Sequence, residues 1–175
     1  MNSHPGGLVH TKQLLSLSAL LPPAHILDMG AGRGDAVRYL HSLGYQAEGI
    51  DLEPQTVSNL SASVLQGNFL YPPYAEGTFD GIISQCAFYV SGSPSDALAV
   101  AYRLLKSDGI LMLSDVCPRE ITLKTLAEAA GFFVSHYEDQ TPAWKEYYIE
   151  SIWRGTACSF PTDIKMNYEM LICKK

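Results

Sequence analysis

Residues 26–35 read ILDMGAGRGD, and this stretch decides the fold. It starts inside an apolar run of strand length, Ala24–Gly30, and ends at Asp35, where a segment of helical period begins. Between the two lie Gly30, Gly32 and Gly34. Glycines here let the chain turn sharply and let a ligand approach bare backbone. The helix that follows points its free N–H groups at the same place.

Working outward, apolar runs of strand length alternate with helical segments. Gln46–Leu52, Phe79–Gln85 and Gly109–Val116 read as strands. The runs at Ile82-Ile83 and Ile110–Leu113 are continuous, as in strands covered on both faces. Asp35–Leu43 carries Val37, Leu40 and Leu43 on one face and stops at Gly44. From about Ser95 to Gly109, Ala97, Leu98, Ala101, Leu104 and Leu105 recur at helical spacing. Thr122 is a suitable N-cap for a helix carrying Leu123, Leu126, Ala127 and Ala130, with Gly131 past its end. This alternation predicts an α/β fold, a doubly wound and mostly parallel sheet. Its ligands belong outside the carboxyl ends of the strands.

Composition bounds the function. The chain has 175 residues, 47% apolar and 17% charged, which suits one globular domain over residues 1–175. Its 12 Lys+Arg against 18 Asp+Glu give a net charge of −6. The only adjacent basic pair is Lys174-Lys175, whereas nucleic-acid binders carry basic stripes or clusters, so no nucleic-acid partner is expected. No apolar stretch reaches the ~18 residues needed to span a bilayer, and residues 1–12 lack the layout of a signal peptide. Cys86, Cys117, Cys158 and Cys173 contain no C-x-x-C pair, so neither a disulfide framework nor a structural metal site is expected. The expectation is a cytoplasmic protein with no membrane partner; its oligomeric state stays open.

The glycine turn also discriminates between ligands. A dinucleotide fingerprint runs G-x-G-x-x-G or A, but here the third glycine comes one residue early, at Gly34, and Asp35 follows it. A carboxylate at a helix start opposes a pyrophosphate there. No P-loop pattern is present. A nucleoside ligand without phosphate, and cationic, fits these acidic surroundings.

At this point Ile26–Gly34 resembles the first motif of the class I S-adenosylmethionine-dependent methyltransferases. GIDLEP (Gly49–Pro54) is similar to their second motif, and Gly67–Ser84 to their G-D-x-x-x-x-P-F-x-x-x-x-F-D stretch. Leu104–Asp115 resembles their L-L-K-P-G-G and fifth strand. The likeness spans roughly residues 20–135.

The resemblance implies S-adenosyl-L-methionine as cofactor, and a seven-stranded sheet. Phe132–Asp139 would be strand six, and Met166–Lys174 strand seven, antiparallel between five and six. Gly30, Ala31 and Gly32 would approach the amino-acid part of the cofactor, and Asp28 would orient their loop. Asp51, followed by Leu52, would accept both ribose hydroxyls, a pairing that suits two carboxylate oxygens. Asn68 stands where the family commonly has Asp and would take the adenine amino group, with Phe69 along the adenine edge. Ser84, Gln85 and Cys86 would surround the methionine end, with Tyr89 nearby.

The expected activity is methyl transfer to a small-molecule acceptor. An NAD-type oxidoreductase domain and a cofactor-binding module without turnover are the alternatives. Such transfer chiefly requires alignment, and a general base only where the acceptor loses a proton. His10, His136 and Asp115 are the candidates, so catalytic residues stay unassigned; His25 reads as structural. Pro5–Thr11, with its two glycines and His10, reads either as a cap over the cofactor or as a frayed end. Trp144, Tyr148 and Ile152 in Thr141–Trp153 form a helical stripe, either packed on the domain or walling the acceptor. Cys86 and Cys117 end neighbouring strands, within about 10 Å of each other if their thiols converge. Because some family members methylate metalloids held by cysteines, a thiolate-held metalloid is the alternative substrate.

Overall fold

The computed structural model describes residues 6–54, 63–155 and 165–175. Pro5 and Cys158 lie outside the described residues. In chain order the elements are α1 (Gly7–Ser18), β1 (His25–Met29), α2 (Asp35–Ser42), β2 (Gln46–Asp51), β3 (Val64–Gln66) and β4 (Phe79–Gln85). There follow α3 (Pro94–Leu104), β5 (Leu105–Pro118), α4 (Leu123–Ala129), β6 (Phe133–Asp139), α5 (Thr141–Trp153) and β7 (Met166–Lys174).

The strands form one seven-stranded sheet in the order β3-β2-β1-β4-β5-β7-β6. Strands β1 to β5 pair in parallel. Strand β7 runs antiparallel to both β5 and β6. The expected doubly wound sheet, with its antiparallel seventh strand between five and six, is what the chain adopts.

Successive residues of a strand point to opposite faces, and the apolar runs exploit this. Ile82, Leu111, Leu113 and Leu171 pack under α3 and α4, against Leu98, Ala101, Leu123 and Ala127. Their neighbours Ile83, Met112, Met170 and Ile172 pack on the other face with Leu14 and Leu15 of α1 and Val37 and Leu40 of α2. Helix α5 lies on this second face, where Trp144 meets Tyr168. A continuous apolar run is thus a strand with a core on each side.

Two local expectations need correction, and one strand carries no sequence signal. Helix α3 does not continue toward Gly109: Leu105 turns to extended backbone, is fully buried and pairs with Phe79. Strand β5 therefore starts early and resumes regular pairing at Ile110 opposite Gly81. Leu43 caps α2 and is 43% exposed rather than buried with Val37 and Leu40. Strand β3 spans only three residues at the sheet edge, too short to show a period.

Helix α4 is held at its start from two sides. Thr122 accepts the Thr125 N–H at 3.0 Å, as an N-cap does. Glu169 of β7, fully buried, accepts the Leu123 N–H at 2.8 Å and the Tyr137 hydroxyl at 3.2 Å. Thr122→Ala is expected to cost about 1 kcal/mol of stability, read as a lowered urea midpoint with an unchanged slope.

Candidate cofactor site

A cavity of about 240 Å³ opens at the carboxyl ends of β1, β2 and β4. Gly30, Asp51, Leu52, Asn68 and Phe69 line it together, although the sequence spreads them over three loops. Leu70, Cys86, Ala87, Val90 and Ser91 complete the wall. Of these only Cys86 was expected. The others continue the loops after Phe69 and Cys86, so loop position alone was the available signal.

The glycine loop is tied across to β2. The N–H groups of Gly30 and Ala31 both donate to the Ile50 carbonyl, at 2.9 and 3.2 Å. The Gly32 N–H donates to Oδ2 of Asp51 at 2.8 Å, and the Glu53 N–H to Oδ1 at 2.9 Å. Asp51 therefore fixes the loop that it faces, while each oxygen keeps a lone pair for a further donor. Gly30 has φ 88, and a Cβ there would lie 2.2 Å from the Cβ of Ala87. Only glycine lets these two loops meet.

Asp28, Ala31, Gly32, Ser84 and Gln85 lie outside the cavity wall, while Asn68 and Phe69 are held within it by their own contacts. Asp28 is buried below the loop, and burial, with repulsion from Asp51 added, pushes its carboxyl up to about 7. Ala31 packs in the core with Val37, and Gly32 meets Asp51 through its backbone. Ser84 is fully buried and donates to the Met29 carbonyl at 2.8 Å. Gln85 accepts the Thr11 hydroxyl at 2.8 Å, linking β4 to α1. Asn68 caps its own turn by accepting the Leu70 N–H at 2.9 Å. Phe69 is 7% exposed and packs on Phe88 as well as edging the cavity. Asp35 pairs with Arg38, which tempers the repulsion inferred from its charge.

Asp115 is not placed as a base. It is 1% exposed and receives the N–H groups of Val116 at 2.7 Å and Tyr89 at 3.1 Å. Burial raises it to about 6 despite these bonds, which extend to Phe88 and Ala87. Its work is to hold the turn carrying Ala87, Val90 and Ser91. His136 lies on β6, 3.7 Å from Glu138 and outside the cavity wall. His25 pairs with Glu48 at 2.8 Å, a structural role.

His10 sits within α1 rather than in a loop before it, stacked on Tyr168. Trp144 is 8% exposed and stacks between Tyr168 and Tyr148, while Ile152 is 54% exposed. Trp144 seats the stripe on Tyr168, and Tyr148 stacks on Trp144. The two cysteines do not converge. Cys86 bonds the Tyr168 hydroxyl on the α1 and α5 face. Cys117 lies in the core under α3 and α4, its thiol pushed up to about 12 by burial and then by Glu169. A metalloid held by this pair has no geometric basis.

Two outcomes follow. Gly30→Ala is expected to cost about 1–3 kcal/mol of stability through backbone strain, together with the Ala87 overlap, as measured by chemical denaturation. Asp28 binds its proton more tightly folded than unfolded, so it withdraws stability as pH rises from about 4 to 7. Asp28→Asn is therefore expected to raise Tm at pH 8, with the gain fading toward pH 4.

Comparison with known proteins agrees with this geometry. A family model described as a methyltransferase domain matches residues 27–113. The chain is 28% identical to the uncharacterized methyltransferase YodH of Bacillus subtilis, over 79% of this chain and 64% of that one. It is 33% identical to a sarcosine/dimethylglycine N-methyltransferase of Halorhodospira halochloris, over 59% of this chain and 42% of the other. The alignments thus span 42% to 64% of the length of these two curated relatives. In fold it is similar to phosphoethanolamine N-methyltransferase 2 of Haemonchus contortus, solved with S-adenosyl-L-methionine. That TM-score is 0.78 at 18% identity, covering 98% of this chain and 53% of the other. With the sheet order, the glycine loop and Asp51 in place, the chain belongs to the class I S-adenosylmethionine-dependent methyltransferases.

Proposed function

We propose that the chain binds S-adenosylmethionine in this cavity and transfers its methyl group to a small-molecule acceptor. The observation that carries the reading is the Asp51 carboxylate facing the Gly30 loop across one cavity at the ends of β1 and β2. A ribose needs an acceptor for two neighbouring hydroxyls, and Asp51 has lone pairs left for both. Leu52, Phe69 and Leu70 offer apolar surface for a flat base, and Asn68 a polar edge. Gly30 admits the cofactor's amino-acid end against bare backbone. The neighbouring Asp28 and Asp51 carboxyls, which repel one another, favour a ligand that brings positive charge.

Bound S-adenosylmethionine supplies an electrophilic methyl on a sulfonium. The protein's part is to hold the donor rigidly and align the acceptor, which can lower a barrier by several kcal/mol. A small-molecule acceptor is supported by the relatives named for sarcosine, dimethylglycine and phosphoethanolamine. The single seven-stranded sheet supports treating residues 1–175 as one methyltransferase domain. None of the helices among the described residues is long and apolar enough to cross a membrane. The net charge of −6 argues against a nucleic-acid partner. Cys86, Cys117 and Cys173, present as thiols rather than disulfides among the described residues, suit a reducing cytoplasm.

Asp51→Ala is expected to weaken S-adenosylmethionine binding by about 2–3 kcal/mol, thirtyfold or more. Calorimetry with unchanged affinity removes Asp51 from the site. Release of S-adenosylhomocysteine with an acceptor separates an enzyme from a module that only binds.

A further inference from the structure

Beyond Cys86 lies a small cluster set apart from the two main cores. Val116, Trp144, Met166 and Tyr168 are its buried members, with Cys86 and Tyr89 packed against them. Cys86 belongs to this cluster and to the cavity wall alike, so the two adjoin.

One polar side chain beside this cluster is buried with part of its hydrogen-bonding capacity unused. His10 is 9% exposed, and its ring stacks 5.9 Å from that of Tyr168 with the planes 11° apart. Its Nε2 lies 3.3 Å from Oε1 of Gln140, the residue that precedes α5. A carbonyl oxygen only accepts, so Nε2 carries a proton, and in the neutral ring Nδ1 keeps a bare lone pair. Nδ1 is buried and has no hydrogen-bond partner among the described residues. A buried polar atom left unpaired is costly and calls for an explanation. Gly6 closes over the ring: a Cβ there would stand 2.7 Å from Cγ of His10. The packing thus shelters an imidazole with one ring nitrogen unused.

Resting on the methyl-transfer reading, we propose that Nδ1 of His10 accepts the proton of the methyl acceptor, which binds where the cavity meets this cluster, at Cys86. The acceptor is a largely apolar molecule bearing an ionisable O–H or N–H, as the apolar Leu70, Ala87 and Val90 of the cavity wall suit. Its oxygen or nitrogen forms the new bond to the methyl carbon. The C–S bond breaks with its electron pair staying on sulfur, and the acceptor's proton passes to Nδ1. The imidazolium keeps its Nε2–H on Gln140 and lies against the Tyr168 ring, whose π face favours a cation. Gln140 is a positioning residue that holds the tautomer. Titratable groups on the surrounding elements include Tyr168 of β7, Cys86 and Tyr89 after β4, Asp115 of β5, Tyr148 of α5 and Glu138 of β6, which accepts from Gln13 of α1. Burial keeps the Tyr168 hydroxyl protonated, and Asp115 is committed to backbone N–H groups.

The test uses the full chain, labelled with 15N at histidine and loaded with S-adenosylhomocysteine. Phenol and aniline are the probes, and His10→Gln assigns the His10 resonances. The expected spectrum shows Nε2 protonated and Nδ1 bare, with a saturable shift at Nδ1 as a probe is added. Gln140→Leu should mix the tautomers. A protonated Nδ1 in the free protein, or an Nδ1 unmoved by either probe, overturns the proposal. For a probe that is methylated, His10→Gln should lower kcat at least about 100-fold. Its affinity for S-adenosylhomocysteine should stay within twofold, and an unchanged kcat overturns the role. Calorimetry keeps the two readings apart. Failure of the wild type to bind S-adenosylhomocysteine sinks the cofactor reading and this proposal with it, whereas binding with an unmoved Nδ1 sinks only the proton-acceptor role.

Discussion

The site depends on one constraint, the tie between the loop after β1 and the end of β2. The Gly30 and Ala31 N–H groups share the Ile50 carbonyl, and Asp51 takes the Gly32 N–H. A loop of three glycines is entropically expensive to order, and these bonds, all to the adjacent strand, set its shape. The same tie forces Gly30 against Ala87 at a distance no other residue allows. The turn after β4 must therefore be placed as exactingly as the loop it meets.

That placement falls to Asp115. A carboxyl buried beneath a turn is disfavoured by desolvation, and here backbone N–H groups from Ala87 to Tyr89, with that of Val116, offset much of the penalty. Two acids at strand ends thus do related work. Asp51 holds the loop after β1 and stays open to the cavity; Asp115 holds the turn after β4 and is closed off. Glu169 repeats the device on β7, where it meets the start of α4 and the Tyr137 hydroxyl. The three carboxyls share a logic of negative charge against backbone N–H groups or a hydroxyl, and only the first keeps a face to a ligand.

On the opposite face the joining is done by rings. Tyr168 is fully buried; His10 of α1 and Trp144 of α5 stack on it, and its hydroxyl meets Cys86 and Ser114. This column couples α1 and α5 to the end of β4. A change at α5 therefore reaches the cavity through Tyr168 and Cys86, not through solvent.

The sequence by itself determined the sheet, its doubly wound layers and the glycine loop. Those signals are local: the continuous apolar runs at Ile82-Ile83 and Ile110–Leu113, the helical spacing of Ala97 to Leu104, and the spacing of Gly30, Gly32 and Gly34. Through its resemblance to the methyltransferase motifs it also marked Asp51, Asn68 and Phe69, since motifs at strand ends keep their place in such a sheet. What it left undecided is which of adjacent residues faces the cavity. Ser84 turns inward and Cys86 outward, Asp28 is sealed and Asp51 open, and Cys86 and Cys117 fall on opposite faces. Facing depends on the pleat at each strand end and on the β5–β7 register, which pairs Asp115 with Glu169 and Val116 with Tyr168. The contact of His10 with Gln140 joins residues 130 positions apart, and no local pattern encodes it. Only packing α1 and α5 on one face of the sheet brings them together.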